Sequence, residues 1–273
     1  MKPLLMKPKS VDSIDGFTNK TIGDYIFEIK FDGGSSEIKR HKDNIEITHG
    51  SNPNLQNVKY PELIPEILKN VKDGEYVCEL CVFDNRNISI FKDYVKRANT
   101  DNRCKINFIK DIYPIIAVFH DITKNGNDDV TMLSLMERKE LLNKNVKPNK
   151  HIQISKVYDK PNEILKKKDL LEGVVIKKRN SPYQFGKRDN WWKFRFNKEE
   201  IVKCNNYEDT KTGIVLITVD GRRINLAGDK KSSIAKKKLL EGGTIEVEIS
   251  YHERTGKGFR FTSIKRIVGE EEE

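Results

Sequence analysis

The sequence predicts an α+β chain in two parts. Residues 1–197 should form a larger domain of antiparallel sheets with flanking helices, and residues 198–273 a small β-barrel. Three observations predict this. Short runs rich in β-branched and aromatic residues alternate with turn signals along most of the chain. Only a few stretches carry the apolar spacing of a helix. Near Phe196-Asn197-Lys198 the character changes, and beyond it short strands and glycine turns dominate.

In order, Tyr25 to Arg40 reads as two strands joined at Asp32-Gly33-Gly34, a tight turn signal. A second strand pair surrounds Glu75 to Ile90, with Asn85-Arg86-Asn87 as its turn. Pro61 to Asn70 and Met132 to Leu142 carry helical spacing. Ile115 to Ile122 and Gly173 to Lys177 are short apolar runs, hence buried strands. In the second part, Ile214–Val219, Arg223–Leu226, Thr244–Tyr251 and Phe259–Arg266 read as strands and Ser232–Leu240 as a helix. Gly221, Gly228, Gly242, Gly243, Gly256 and Gly258 supply the turns. Several strands with one intervening helix in so short a segment suggest an OB-type barrel. The acidic tail Glu270–Glu273 reads as a disordered end.

Composition limits the partners. Lysine and arginine number 51 against 41 acidic residues, a net charge of +10. Such an excess favours a polyanion, although a lysine-rich surface is commonly just a solvated one. No apolar run approaches the roughly 20 residues that span a bilayer. The opening residues lack the apolar stretch of a secretion signal. Four irregularly spaced cysteines make no disulfide framework, so a cytoplasmic setting (or a nucleoid or viral replication site) is expected, without secretion. Cys78-Glu-Leu-Cys81 spells CxxC, but strand positions three apart face opposite sides, so the pair does not read as a zinc site.

The candidate chemistry centres on Glu28-Ile-Lys30-Phe-Asp32-Gly33. A lysine at a strand end before a tight glycine turn can present its amine to a bound phosphate. Taken alone, it reads sooner as a solvated lysine before a hairpin. Company changes the balance. Glu79 interrupts an apolar strand, Phe119 and Asp121 end another, and Glu172 to Lys177 joins an acid to a lysine across a third. Trp191-Trp192-Lys193-Phe194-Arg195 closes the first part, with Lys193 and Arg195 on one strand face. Charges on apolar strands are costly unless paired or bound to metal or phosphate, so several such strands imply one shared charged site.

These stretches resemble, in order, the motifs of the ATP-dependent DNA ligases, within the covalent nucleotidyltransferase superfamily. Lys30-Phe31-Asp32-Gly33 matches KxDG, preceded by the acid Glu28. GEYVCELCVFD matches the acidic strand through Glu79, AVFHDI the adenine-stacking strand through Phe119, and EGVVIKK the strand from Glu172 to Lys177. SPYQFGKRDNWWKFR resembles SPYxxGxRxxxWLKxK, and MLSLMERKELL the helix LPLxERRxLL. KxDG is shared with RNA ligases and capping enzymes; the last two motifs are more particular to DNA ligases.

The resemblance implies a nucleotidyltransferase (adenylation) domain followed by an OB-fold domain, with ATP and Mg²⁺ (Mn²⁺ substituting) as cofactors. A monomer acting on nicked duplex DNA is expected. Lys30 would carry AMP, pass it to a 5′-phosphate, and the 3′-hydroxyl would displace it. An unperturbed lysine pKa of about 10.4 leaves roughly one in 2,500 neutral at pH 7, so nearby cations must depress it, a metal with Lys177 and Lys193 being expected. Glu79 and Glu172 are the expected metal ligands. Phe119 would stack on adenine and Glu28 accept from its amino group; Asp32, Gly33 and Arg195 complete the nucleotide site. Arg188, Lys265 and Arg266 are the nucleic-acid candidates, the last two also orienting pyrophosphate.

There are departures. The family's arginine two residues after KxDG is absent at Gly34-Ser35-Ser36, and a second is absent from ITHGSNPNLQNV. Lys39, Arg40 and His49 are candidates to replace them by proximity in sequence. The rivals are an RNA ligase or capping-type enzyme, and a catalytically inactive OB-containing nucleic-acid-binding protein.

Overall fold

The computed structural model describes residues 5–18, 23–50, 52–186 and 189–269. Arg188 and the acidic tail Glu270–Glu273 lie outside them. The chain divides into two compact units, Met1–Phe194 and Arg195–Glu273.

The strands of the first unit are β1 (Tyr25–Lys30), β2 (Gly34–His41), β3 (Asn44–His49), β4 (Asn52–Leu55), β5 (Gly74–Cys81), β6 (Ile116–Asn125), β7 (Ile152–Ile154), β8 (Gly173–Lys178) and β9 (Trp191–Arg195). Its longer helices are α1 (Leu63–Asn70), α2 (Phe91–Ala98), α3 (Arg103–Ile109) and α4 (Leu135–Asn145). A seven-stranded sheet runs β4–β3–β2–β5–β6, with Asp128–Asp129 beyond β6 and β7 joining β6 in parallel. A four-stranded sheet runs from Lys9–Ser10 through β9 and β8 to β1. The larger core lies on one face of the large sheet, where Ile38, Ile47, Tyr76, Leu80, Phe119 and Ile122 pack with Leu63 and Ile67 of α1.

Three expectations are corrected. The run from Tyr25 to Arg40 does form two strands, but they do not pair: β1 belongs to the small sheet and β2 to the large one. Neither Gly33 nor Gly34 takes the positive φ that a tight two-residue hairpin needs. Gly33 is pressed on β5, where a Cβ would lie 2.2 Å from the Leu80 carbonyl oxygen. The strand pair expected around Glu75–Ile90 keeps only β5. Its return is one bridge, Phe83 with Ser89, because the Asp84 carboxylate accepts the Arg86 and Ile88 amides, 2.9 Å each, and turns the chain into α2. The helix expected from Met132 starts at Leu135, since Ser134 and Glu137 form a capping box.

The second unit contains β10 (Lys198–Thr210), β11 (Gly213–Thr218), β12 (Arg223–Ala227), α5 (Asp229–Gly242), β13 (Ile245–Tyr251) and β14 (Ser263–Ile267). They pair antiparallel in the order β12–β11–β10–β13–β14, with the helix inserted between the third and fourth strands. Cys204, Leu216, Val247 and Ile249 form its core with Ala235 and Leu239 of α5. The strand expected over Phe259–Arg266 is broken at Phe261, which has φ 52°. Phe259–Arg260 pairs instead with Glu253–Arg254. Among the described residues, no helix is long and apolar enough to cross a membrane.

Candidate active site

The first unit contains a cavity of about 700 Å³ whose lining includes Glu28, Lys30, Glu79, His120, Lys177 and Lys193. Charged side chains reach it because strand ends and a bulge bring them there.

Lys30 is the last residue of β1, paired with Gly173 at the start of β8. This register brings Glu172, the residue before β8, onto the lysine: Lys30 Nζ lies 2.7 Å from Glu172 Oε2. Glu79, on β5 opposite Ser35 of β2, joins the same cluster. Burial pushes the Glu79 carboxyl up, and Glu172 and Asp32 add to it against Lys30 and the Gly33 amide, to about 8. Asp32 is buried at the loop, its amide held by Ser89 Oγ at 2.9 Å. Lys30 thus stands among the carboxyl groups of Glu172, Glu79 and Asp32. Carboxylates of this kind suit a hard divalent cation, which takes one or two of them and completes its shell with phosphate oxygens and water. Among the described residues, no three His, Cys, Asp or Glu side chains gather as a metal site by themselves.

The opposite balance holds at Glu28. Its carboxylate, 2% exposed, lies 3.0 Å from Lys177 Nζ and 2.5 Å from Lys139 Nζ. Burial would raise its pKa, but the two lysines hold it down to about 2. With two ammoniums to one carboxylate, Lys177 is pushed down to about 8, by burial first and by Lys139. Its ammonium also sits 4.2 Å from the centre of the Trp191 ring. Lys139 comes from α4, whose preceding Arg138 grips Asp121 with two bonds of 2.8 and 3.0 Å. The residue-by-residue reading missed Arg138 and Lys139. Their signal was there: adjacent cations on an otherwise core-facing helix.

Phe119 does not line the cavity. It is fully buried in the core against Tyr76, ring centres 5.6 Å apart. Its neighbour on β6, His120, does line the cavity, along with the rings of Phe31, His49, Phe91, Tyr94 and Trp191. The pairing of β5 with β6 passes from Val77–Asp121 to Cys78–Phe119, leaving His120 as the extra residue of a β-bulge. Bulges re-aim side chains in this way, and His120 gives the signal as the one added residue between phenylalanine and aspartate. Burial, then Lys177, keeps the imidazole pKa well below its ordinary value, so the ring is neutral.

Of the three candidates to replace the absent arginines, Lys39 pairs with Glu75 at 3.0 Å and Arg40 with Asp73 at 3.5 Å, and neither lines the cavity. His49 does. In the second unit, Arg195 stacks on Phe261 at 4.1 Å, Arg266 bonds Glu248 at 2.6 Å, and Lys265 pairs with Glu199.

Comparison with known proteins bears on this site. Residues 5–195 match the family model described as ATP dependent DNA ligase domain. A probable DNA ligase of Dictyoglomus turgidum is 25% identical over 185 residues, 64% of this chain and 32% of that protein. The chain therefore spans about a third of the length of such relatives. The SPbeta prophage-derived DNA ligase-like protein LigB of Bacillus subtilis is 26% identical over 265 residues, 91% of this chain and 81% of its own. Among solved structures, one from a study of Lig E DNA ligases as minimal DNA-binding scaffolds superposes with a TM-score of 0.67 at 14% identity, covering 98% of this chain and all of that one. This last likeness shows the fold: a nucleotidyltransferase domain followed by an OB-fold.

Proposed function

Because the chain belongs to the family of ATP dependent DNA ligase domains, matched over residues 5–195, we propose that it seals nicks in duplex DNA through an AMP carried on Lys30. The observation that carries this reading is the placement of Lys30 at a cavity, beside the carboxyl groups of Glu172 and Glu79, with the neutral His120 ring on the same cavity's lining. In the first step the Lys30 nitrogen bonds to the α-phosphorus of ATP, and the bond from that phosphorus to the pyrophosphate oxygen breaks. The AMP then passes to the 5′-phosphate, and the 3′-hydroxyl displaces it.

The residues divide the work. Lys30 becomes a nucleophile only as the neutral amine, so its ammonium must leave Glu172 and give up a proton before it attacks. Mg²⁺, held by Glu79 and Glu172, would supply charge that offsets the phosphates. His120, rather than Phe119, offers its face to adenine. Both Glu28 oxygens are engaged by lysines, so this carboxylate fixes Lys139 and Lys177 beside the base. Lys193 lines the cavity on the phosphate side of the reading, and Asp32 and Gly33 hold the loop against β5. The domain roles are proposed as residues 1–197 for adenylation and 198–273 for clamping the duplex. There Arg195, Lys265 and Arg266 meet phosphates, Lys265 by displacing the exposed Glu199. The protein acts as a monomer on this reading.

Incubation with α-labelled ATP followed by denaturing electrophoresis tests it. The protein should retain label, pyrophosphate should discharge it, and nicked DNA should be sealed faster than nicked RNA. A protein that takes no label is not a ligase of this mechanism, and a preference for nicked RNA would transfer the reading to an RNA ligase.

A further inference from the structure

The small sheet separates two cavities. Along β1, Glu28 and Lys30 line the first, while Tyr25 and Phe27 line a second of about 550 Å³. Strand alternation sends these pairs to opposite faces. Along β9 the same alternation puts Trp191 and Lys193 on the first cavity and Phe194 on the second. The second cavity therefore lies across the sheet from Lys30, and the chemistry proposed for Lys30 uses none of its residues. Its walls come from two short segments, within residues 12–18 and within residues 159–165. The first brings the Phe17 ring, centred 5.2 Å from Tyr25 and 5.1 Å from Trp192. The second is tied to β1 where Phe27 and Tyr158 exchange backbone bonds of 2.9 Å.

Rings and charge give this cavity one preference. Phe17, Tyr25, Phe27 and Phe194 all line it. The face of an aromatic ring attracts a cation, and an arginine guanidinium most often. Asp12, Asp15 and Asp159 stand against a single lining cation, Lys160, although the chain as a whole carries +10. Asp159 is paired with Arg179, and Asp15 accepts the Ser13 hydroxyl at 2.7 Å. Asp12 is exposed and has no hydrogen bond or ion pair among the described residues. A carboxylate so placed attracts a cation and repels a phosphate.

A neighbouring cleft of about 200 Å³ has the opposite sign. Its lining includes Ile29, Ile164 and Leu171, with Lys166, Lys167 and one acid, Glu163. Glu163 pairs with Lys156 at 3.4 Å, whereas Lys166 and Lys167 have no acid partner among the described residues. Ile29 lies two residues beyond Phe27 on β1, a step of roughly 6.5 Å. An extended peptide repeats its same-face side chains at that distance. A small free cation would fill the aromatic cavity and leave the basic cleft unused; a peptide can match both.

We propose that this face of the small sheet docks an extended segment of a partner protein. An arginine enters the aromatic cavity beside Asp12, an apolar side chain two residues on lies over Ile29, and an acid beyond it meets Lys166 and Lys167.

The full chain is titrated with the fluorescein-labelled peptide Arg-Ala-Leu-Ala-Glu, and binding is read by fluorescence anisotropy. Saturable binding is expected, weakened roughly tenfold when alanine replaces the arginine, and weakened again when the two charged ends are exchanged. Asp12→Asn and Phe17→Leu should each weaken the arginine peptide roughly threefold and leave the alanine peptide unchanged. If Phe17→Leu also lowers the melting temperature, the exposed Asp12 decides, and an arginine peptide indifferent to Asp12→Asn overturns the proposal. Equal affinity for all the peptides, or no saturation at millimolar concentration, overturns it too. Competition by N-acetyl-arginine amide at the same concentration as the peptide would give the cavity to a free organic cation instead. Displacement of the peptide by duplex DNA would give the face to nucleic acid, and either result removes the docked segment. No ATP or nick enters the measurement, so the outcome bears on this face alone and leaves the ligase reading to its own test.

Discussion

Glu28 and Glu79 line one cavity, from different sheets, and their surroundings drive them in opposite directions. Glu28 stands between Lys139 and Lys177 and is held down to about 2; Glu79 shares Lys30 with Glu172 and Asp32 and is pushed up to about 8. The first neighbourhood is rich in cations, with buried ammoniums from α4 and β8 on either side of one carboxylate. The second is rich in carboxyl groups, and burial keeps Glu79 protonated there. A buried carboxylate held between lysines fixes the shape of the site around it. A carboxyl group that must lose a proton to ionise answers to positive charge brought beside it.

The largest effect should come from removing the proposed nucleophile, Lys30, at the Glu79 end. Lys30→Ala should abolish labelling by ATP, while a nick supplied already adenylated is still sealed. A mutant that keeps a covalent adenylate would break the assignment of this end to chemistry. Next come the two glutamates, where opposite outcomes are expected. Glu28→Gln strands two buried ammoniums and should cost roughly 3–5 kcal/mol, lowering the melting temperature by roughly 10 °C. Glu79→Gln should leave the melting temperature unchanged or slightly higher, and raise the Mg²⁺ needed for half-maximal labelling roughly tenfold. If both variants melt alike, the contrast is wrong.

Nucleotide binding sharpens the picture of the Glu28 end. His120→Ala should raise half-saturation by ATP roughly tenfold, since stacking on a base is worth about 1–3 kcal/mol, and His120→Phe should restore it. Phe119→Leu should lower the melting temperature and leave ATP half-saturation alone. The reverse pattern would return the stacking role to Phe119.

The last effect is in pH. Glu28 has a folded pKa below its ordinary 4.5, so its contribution to stability is complete above that value and is lost as pH falls toward about 2. Glu79 has a folded pKa above 4.5, so the folded state holds an extra proton, and stability falls as pH rises from there to about 8. Over the same upper window Mg²⁺ should bind more tightly as pH rises, because it competes with that proton. Thermal melts of wild type and Glu79→Gln across pH 5–9 would show the slope in one protein and its loss in the other; parallel curves would refute it.

Much of this was legible in the sequence, for identifiable reasons. Acids and lysines stranded in apolar runs announced Glu79, Glu172 and Lys177, because burial makes such residues improbable without a purpose. The turn glycines and short strands beyond Phe196 announced the barrel. What could not be read was pairing. Nothing local says that β1 and β2, three residues apart, enter different sheets. The 13-residue β10 was hidden because only part of it alternates, with Ile201 exposed beside buried Val202 and Cys204. α2 was missed although Phe91, Tyr94, Val95 and Ala98 carry helical spacing. His120 was passed over since a one-residue bulge changes which face a side chain takes, and register is a property of two strands.

The small sheet has a consequence for synthesis. Its members are drawn from Lys9–Ser10, Tyr25–Lys30, Gly173–Lys178 and Trp191–Arg195, so strands made first must wait for strands made last. On a ribosome adding about 5–20 residues each second, the segment carrying Lys30 emerges many seconds before Glu172, its ion-pair partner 142 positions later. Until then β1 is an unpaired, half-apolar edge, the kind of segment that invites strand exchange with a neighbouring chain. Contacts this distant also fold slowly. Nascent chains stopped between residues 130 and 170 should therefore be more prone to aggregate than chains stopped after residue 195. Lys30, the proposed nucleophile, is among the first parts of the site to be made, and among the last to be assembled.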